Sequence, residues 1–556
     1  MTSTENINVT VNGGESLRVA ILTWNVGNAQ PKLAEIPMLV GTEKELENVD
    51  LIVCGSQEAV YAPVPDEELK DVTEEPELKN ESLSEEKQAE QMKEYKKKKS
   101  KEVGIGTKVS NLFENKSLVH FQNLYENHTK KCGFKTIACT DLGEMRLFVF
   151  AKETIAKDIT NVESATSCTG LGHIMANKGG ILTSFIYKGY SLAFISSHLA
   201  AHLKHFSKRN ENIWEILAEA RTGDKDMDAF VQHDYVFWMG DLNYRVDLNT
   251  ARGEPMPPKK GDGHKKHWEE VKKLVDGKKY GELLKADQLK REQKAGKIFH
   301  NFTEAPITYT PTFKVQRVKG IDYKEQRAPS YCDRILWRSQ ACFGNDTVVP
   351  EQVQPLINVS TSDHKPIRGV YKINFVKTPS YEMDTTKNVA HLNIKKVDGI
   401  KLTASDIGGS SDPYLQFRMY PGNTLVMPKN KLKKLNSSYK TANLNPTFND
   451  HDLPTLSTRC KTVEELSNVV LFMGFWDYDS LDADDELGGV CLHLKEYVKD
   501  LQTGKKQTIK IDNAPIVLYG KVLESRLSCE IEIEWKNLES SKAPTQGFNN
   551  GCCTLM

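Results

Sequence analysis

Residues 235–243 read YVFWMGDLN, an aromatic and β-branched run that stops at Gly240 and then delivers Asp241 and Asn243. A run of this length and composition predicts a buried strand. The same grammar recurs along the chain: ILTW (21–24) is followed by Asn25, LIVCGSQ (51–57) by Glu58, LAFISS (192–197) by His198, and INVSTS (357–362) by Asp363 and His364. A sheet whose neighbouring strand ends each supply such a group gathers them into one cluster on rigid elements. Taken singly, Asn25 reads as a turn cap, Glu58 as a helix cap, and either histidine as a hydrogen-bonded core residue. Five such strand ends together predict an active site.

Further strand-like runs, RVAILTW (18–24), RLFVFA (146–151) and ILTSFIY (181–187), are separated by Gly/Asn loops, with a helix predicted over Phe206 to Arg221. This is an α+β pattern whose composition is that of a two-sheet β-sandwich flanked by helices. Residues 63–101 are rich in Glu and Lys and read as a solvated insertion that cannot bury enough surface to order itself. Residues 377–387 read as a linker. Beyond it, 388–536 alternate short strands with turn residues, which predicts a second, all-β sandwich. A polar tail, 537–556, closes the chain.

With 556 residues, about 100–200 per domain gives at least two domains. Lys and Arg number 74 against 75 Asp and Glu, a net charge of −1, so no global positive field recruits nucleic acid. No apolar run reaches the roughly 20 residues of a membrane-spanning helix. MTSTENINVT at the start lacks the basic and apolar regions of a secretory signal and has Thr2 where myristoylation needs glycine. The 11 cysteines form no CxxC pair and read as small buried hydrophobes in a reducing compartment. A cytoplasmic protein is expected.

Asn, Glu, two Asp and two His offer hard oxygen ligands and proton carriers. Such a set favours Mg²⁺, which keeps waters and substrate phosphate oxygens in its shell, and points to phosphoester hydrolysis. TWNVG (23–27), SQE (56–58), NKGG (177–180), SSHLAAH (196–202), FWMGDLNYR (237–245), RAPSYCDRILW (327–337) and TSDHKPI (361–367) closely resemble the inositol polyphosphate 5-phosphatases over residues 17–376. The resemblance implies a sandwich of two mixed sheets flanked by helices. It makes Glu58 the main Mg²⁺ ligand with Asn25 beside it and Asp363 completing the metal region. Asp241, helped by Asn243, would position and deprotonate water, and His198 and His364 would contact the scissile phosphate. Asp333 would orient His364, and Lys178 and Arg334 would bind phosphate or stabilise the site. Family members that demand a 4-phosphate grip it through a Tyr-Lys pair after Pro-Thr and a Lys-x-Arg before Ala-Pro; here Phe313 and Glu325 replace two of these, while Lys314 and Arg327 remain. Phosphoinositide lipids and inositol phosphates are the expected substrates.

In 388–536, SDPY (411–414), NPTFND (445–450) and DYDSLDADDELGG (477–489) resemble a C2 domain. The resemblance assigns Ca²⁺ to Asp406 and Asp412 on one loop and to Asp477, Asp479 and Asp485 on another, for binding an anionic membrane surface. The chain ends Cys553-Thr554-Leu555-Met556, a C-a-a-X box whose Met favours farnesylation, with Cys552 a palmitoylation candidate as second anchor. The expectation is a phosphatase peripheral on the cytosolic membrane face. Its alternative is a catalytically inactive calcium- and lipid-binding adaptor, which would be expected to have lost some of Glu58, Asp241, Asp363 or His364.

Overall fold

The computed structural model describes residues 15–65, 106–169, 177–340, 343–376, 388–406, 409–420, 424–426, 435–479 and 484–537. The expected insertion from residue 66 onward, the linker and the tail with Cys552 and Cys553 lie outside the described residues. The chain divides into two compact units near residue 376. No described helix is long and apolar enough to cross a membrane.

Among the described residues the first unit holds twelve strands: β1 (Ser16–Asn25), β2 (Leu51–Gln57), β3 (Phe134–Leu142), β4 (Met145–Lys152), β5 (Ile159–Cys168), β6 (Gly179–Tyr187), β7 (Tyr190–His198), β8 (Tyr235–Asp241), β9 (Thr303–Glu304), β10 (Asp333–Ser339), β11 (Val348–Pro355) and β12 (Ile367–Asn374). They form two mixed six-stranded sheets, ordered β11-β12-β1-β2-β4-β3 and β5-β6-β7-β8-β10-β9. The strands that carry the polar ends, β1, β2, β7 and β8, are buried on both faces over most of their length, which is why their sequences read as continuous apolar runs rather than alternating ones. β1 and β2 pack across β7 and β8, so the middle of each sheet is the core of the sandwich.

Helices cover the outer faces. On α1 (Gly106–Lys131) Phe121 stacks on Phe148 of β4 and Tyr125 meets the same ring edge-on. The helix predicted to end at Arg221 is α2 (Phe206–Glu219), and it buries Ile213, Ile216 and Leu217; a Cβ at Gly180 would lie 2.6 Å from Ile216, so the helix rests almost on the backbone of β6. α3 (Asp262–Asp276) buries Val271 and Val275 against Val246, Leu283 and Tyr331.

Register places the chemistry. β7 and β8 are parallel with His198 opposite Asp241, and β8 and β10 antiparallel with Asp333 opposite Asp241. Three titratable side chains therefore stand side by side at one edge of the second sheet. Gly240 permits this: its φ is +150° and a Cβ would lie 2.0 Å from the Ser197 carbonyl oxygen, a clash with backbone that cannot move aside.

The second unit is all-β: β13 (Asn388–Ile400), β14 (Pro413–Tyr420), β15 (Thr447–Asn449), β16 (Thr455–Ser457), β17 (Val470–Asp477), β18 (Asp485–His493), β19 (Gln507–Leu518) and β20 (Lys521–Asn537). All pairings are antiparallel, along the path β14-β17-β18-β19-β20-β13-β15 with β16 also on β13. The sheet curls around a core that includes Leu392, Phe417, Phe448, Phe475 and Ile531. Alternating exposure along β20 shows one face packed and one solvated.

Gly240→Ala should destabilise the first unit by about 3 kcal/mol, from a forbidden backbone conformation plus overpacking, read as a lower urea midpoint; an unchanged midpoint would show that the β7–β8 approach tolerates a side chain.

Candidate active site

The two sheets meet at Asp241. Asn25, the last residue of β1, donates its amide Nδ2 to Asp241 Oδ2 across the sandwich at 3.0 Å, and its own Oδ1 accepts from the Gly27 N–H at 2.9 Å. His198 Nε2 lies 3.3 Å from Asp241 Oδ2, 3.7 Å from Glu58 Oε1 and 2.6 Å from Lys178 Nζ. His364 brings Nε2 to 3.9 Å from Asp241 Oδ2, while its Nδ1 lies 3.0 Å from Asp333 Oδ2. Thr312 donates to that same Asp333 oxygen at 2.6 Å. Asn25, Asp241, His198, His364 and Asp333 are all buried.

Burial alone would raise the Asp241 pKa, but His364, His198 and the Asn25 amide hold it well below the usual carboxylate range. For His364 burial pulls the other way and is outweighed by Asp333 and Asp241, which push its pKa up to about 9. Asp333 is raised by its burial, against the pull of His364. Desolvation lowers Lys178, against the attraction of Glu58 and Asp241. The site therefore presents an ionised Asp241 between a cationic His364 and the Lys178–His198 pair.

Asp241, Asp333 and His364 lie close enough together to hold a metal. A histidine protonated on both nitrogens has no lone pair to give a cation, and its Nδ1 is committed to Asp333. Here His364 is hydrogen-bonded to Asp333 and faces Asp241 as a charge at 3.9 Å. The donor set that fits Mg²⁺ is the other one: Glu58, at the end of β2 with a left-handed φ of +48°, carries a carboxylate that is 32% exposed, and the Asn25 amide oxygen retains a second lone pair. Hard oxygens with room for water suit this ion.

Three more of the expected residues have partners within the protein. Asp363 and Lys314, expected to serve metal and substrate separately, pair with each other at 3.2 Å. Arg334, expected to bind phosphate or stabilise the site, is buried, grips Glu304 with two nitrogens at 2.6 and 2.7 Å, and donates to Asp287 at 3.0 Å. Two carboxylates already satisfy it, so it has no call on a phosphate. Arg327 lies on the wall of a cavity that also contains Arg245.

Two functional residues escaped the sequence reading. Arg245 holds Asn243 Oδ1 through Nη2 at 2.5 Å and lies 4.4 Å over the Phe313 ring, whose other neighbour is the His364 ring at 4.4 Å. Phe313, where the family pattern has tyrosine, thus packs between a guanidinium and an imidazole. Glu35 is buried and accepts from the Ser360 N–H at 2.7 Å, Ser360 Oγ at 3.0 Å and Thr361 Oγ1 at 2.6 Å, fixing the segment that leads into Asp363 and His364. The Y-R after GDLN was a signal for Arg245; nothing local marked Glu35.

In the second unit, register sets Asp477 opposite Asp485. Asp477 accepts from Ser405 Oγ and from the Asp412 N–H, Asp412 accepts from Ala442 N–H at 2.7 Å, and Asp406 from Ser410 at 3.0 Å. Desolvation together with the charges of Asp477, Asp485, Asp406 and Asp484 raises the Asp479 pKa. Asp484, absent from the expected set, accepts from Tyr414 OH at 2.7 Å and from the Asp479 N–H at 3.1 Å. Asp479 thus feels the charges of Asp477, Asp485, Asp406 and Asp484, while Asp412 is tied to this loop region through its N–H to Asp477.

Residues 22–370 match the model of Endonuclease/Exonuclease/phosphatase family 2, more than half of the chain, and the protein belongs to that family. Residues 390–511 match the C2 domain. Among curated proteins the chain is similar to phosphatidylinositol 3,4,5-trisphosphate 5-phosphatase 2A of Danio rerio, 28% identical over 286 residues (49% of this chain, 21% of that protein). It is also similar to phosphatidylinositol 3,4,5-trisphosphate 5-phosphatase 1 of Homo sapiens, 32% identical over 280 residues (48% of this chain, 22% of that protein). The chain thus matches about a fifth of the length of these relatives. Among solved structures it is similar to the inositol polyphosphate 5-phosphatase domain of SPsynaptojanin in complex with inositol (1,4)-bisphosphate and calcium ion, with 24% identity and a TM-score of 0.46, covering 65% of this chain and 86% of that one.

In the metal-free protein His364 should titrate near pH 9, followed by its imidazole signals in NMR. The sign is that of a raised base: the stability it contributes is full below its ordinary 6.5 and is lost as pH rises through about 9. Asp333→Asn should bring the midpoint down by more than a unit; a midpoint that stays put would remove Asp333 as the cause.

Proposed function

We propose that the chain is a Mg²⁺-dependent phosphoinositide 5-phosphatase acting on PI(4,5)P2, PI(3,4,5)P3 and inositol 1,4,5-trisphosphate. The observation that carries this reading is the buried Asp241 joined to both sheets, ionised and flanked by two histidines. Family membership and the names of the relatives support it.

Asp241, fixed by Asn25 and by the Asn243 N–H at 3.1 Å, orients the attacking water and takes its proton as the oxygen–phosphorus bond forms. Cationic His364 and Lys178 balance the charge that builds on the phosphoryl oxygens. The bond from phosphorus to the ring oxygen breaks, that oxygen takes a proton from solvent water and leaves as the inositol hydroxyl, and Asp241 returns to solvent the proton it took from the attacking water, so the proton count closes. A Mg²⁺ ion held by Glu58 and Asn25 would supply charge neutralisation at the phosphate and the leaving oxygen. The intact set of Glu58, Asp241, Asp363 and His364 favours this reading over an inactive adaptor.

Recruitment is part of the same proposal. The C2 acidic cluster would take Ca²⁺ and meet an anionic surface, and a prenyl group on Cys553, with Cys552 a second acylation site, would add the anchor that one signal alone gives only marginally. Such an enzyme works peripherally on the cytosolic face of membranes.

Asp241→Asn should lower kcat on PI(4,5)P2 on the order of 10³-fold with a much smaller change in KM, measured as phosphate release with Mg²⁺; full activity in that variant would refute the mechanism. Cys553→Ser should shift the protein out of the membrane fraction, most strongly without calcium. No shift at any calcium level would refute the anchor.

A further inference from the structure

The buried face of α2 begins with three polar residues, Arg209, Asn210 and Asn212, before it turns apolar at Ile213. Polar groups that leave water need partners. Asn210 Oδ1 accepts from Tyr244 OH at 2.6 Å, and Asn212 Oδ1 accepts from the Ala200 N–H at 3.1 Å. Arg209 is fully buried, and among the described residues no carboxylate pairs with it. Removal from water brings its pKa down to about 9, so the guanidinium is still charged at neutral pH. A buried charge without a counter-ion persists only where other contacts compensate it. Arg209 Nη1 donates to the carbonyls of Ala200 at 3.0 Å and His202 at 2.6 Å, Nη2 donates to Gln288 Oε1 at 2.5 Å, and the guanidinium lies 4.9 Å over the Tyr244 ring.

These contacts meet at Asn243. Its side-chain amide is held at both ends: Nδ2 donates to the Leu199 carbonyl at 3.1 Å, and Oδ1 accepts from Arg245 Nη2 at 2.5 Å. Leu199 is followed directly by Ala200, whose carbonyl Arg209 grips. Gln288, the first residue of α4 (Gln288–Lys294), accepts on the same Oε1 from the Arg245 N–H at 3.1 Å and donates Nε2 to the Leu203 carbonyl at 2.9 Å. Arg209 therefore holds, directly or through one side chain, both segments that fix the Asn243 amide: 199–203 after His198, and 243–245 after Asp241. Asn243 has a left-handed φ of +56°, which a residue other than glycine keeps only when its surroundings over-determine it. A planar fork with two nitrogens bound in fixed directions supplies that constraint, where a lysine ammonium is a point charge on a flexible stem.

We propose that Arg209 is a positioning residue for the hydrolytic step: it staples 199–203 to 243–245 and so fixes the direction of the Asn243 amide beside Asp241. It acts through Asn243, whose backbone N–H donates to Asp241 Oδ1 at 3.1 Å. The effect on hydrolysis rests on the phosphatase reading; the hold on Asn243 does not.

The test uses the full chain as wild type, Arg209→Lys, Gln288→Met, Asn243→Ala and the double variant Arg209→Lys with Asn243→Ala. Phosphate release from inositol 1,4,5-trisphosphate with Mg²⁺ gives kcat and KM. NMR of protein ¹⁵N-labelled at asparagine, with the Asn243 signal assigned by its loss in Asn243→Ala, gives the exchange rate of the Asn243 side-chain amide protons with water. Arg209→Lys should lower kcat about 10- to 100-fold with KM within about twofold, and should raise the Asn243 exchange rate about tenfold or more. Gln288→Met, which removes the Arg245 half of the staple and leaves the guanidinium in place, should move both readouts the same way, so the inference stays open to refutation if the lysine variant does not fold. In the Asn243→Ala background Arg209→Lys should lower kcat by less than about a further twofold, because its target is gone. Losses that multiply in the double variant would overturn the inference, as would an unchanged Asn243 exchange rate in both Arg209→Lys and Gln288→Met. A wild type that releases no phosphate, with Asn243 exchange that still rises in Arg209→Lys, would contradict the phosphatase reading and leave the staple standing.

Discussion

One buried negative charge organises the first unit. Asp241 is removed from water, and an isolated carboxylate in that position would cost several kcal/mol. The chain meets the cost from both sheets at once: Asn25 reaches over from the first sheet, His198 stands beside Asp241 on the second, and His364 comes from the loop that leads into β12 of the first. Everything nearby serves that convergence. Gly240 lets β8 approach β7, and parallel register brings His198 level with Asp241. Glu35 and Arg317 fix the 360–364 segment, Arg317 by donating to the carbonyls of Thr361 and Gly27 at 2.9 and 2.8 Å.

The sequence announced the strand ends because apolar runs that stop at a polar residue are a local signal. Asp241, Asn25, Glu58, His198 and His364 could be named without knowing which strand lies beside which. Partnerships were another matter, since they depend on register and on side-chain direction. Asp333 and Arg334 are consecutive on β10, so their side chains leave on opposite faces; with Asp333 turned toward His364, Arg334 had to turn away and find Glu304 and Asp287. Period-two alternation held that information. The Asp363–Lys314 pair and the Glu35 contacts join residues far apart in the chain, and only the fold brings them together.

The second unit treats its acids differently. In the first, histidines and an amide neutralise the buried carboxylate within the protein. In the second, Asp406, Asp412, Asp477 and Asp484 meet hydroxyl and backbone N–H donors, and the Asp479 pKa is pushed up by burial and by the charges of Asp477, Asp485, Asp406 and Asp484. A site compensated from inside is permanently set for chemistry. A carboxylate left among like charges is the kind of group that gains from a bound cation.

The central claim is that water, held by Asp241, attacks the phosphorus of the 5-phosphate. Its most direct test is hydrolysis of soluble inositol 1,4,5-trisphosphate in ¹⁸O-labelled water, with ³¹P NMR and mass analysis of the products. The account predicts loss of the 5-phosphate signal alone, with the label in the released inorganic phosphate and none on the inositol ring. Label on the ring, or loss of a different phosphate, would contradict it.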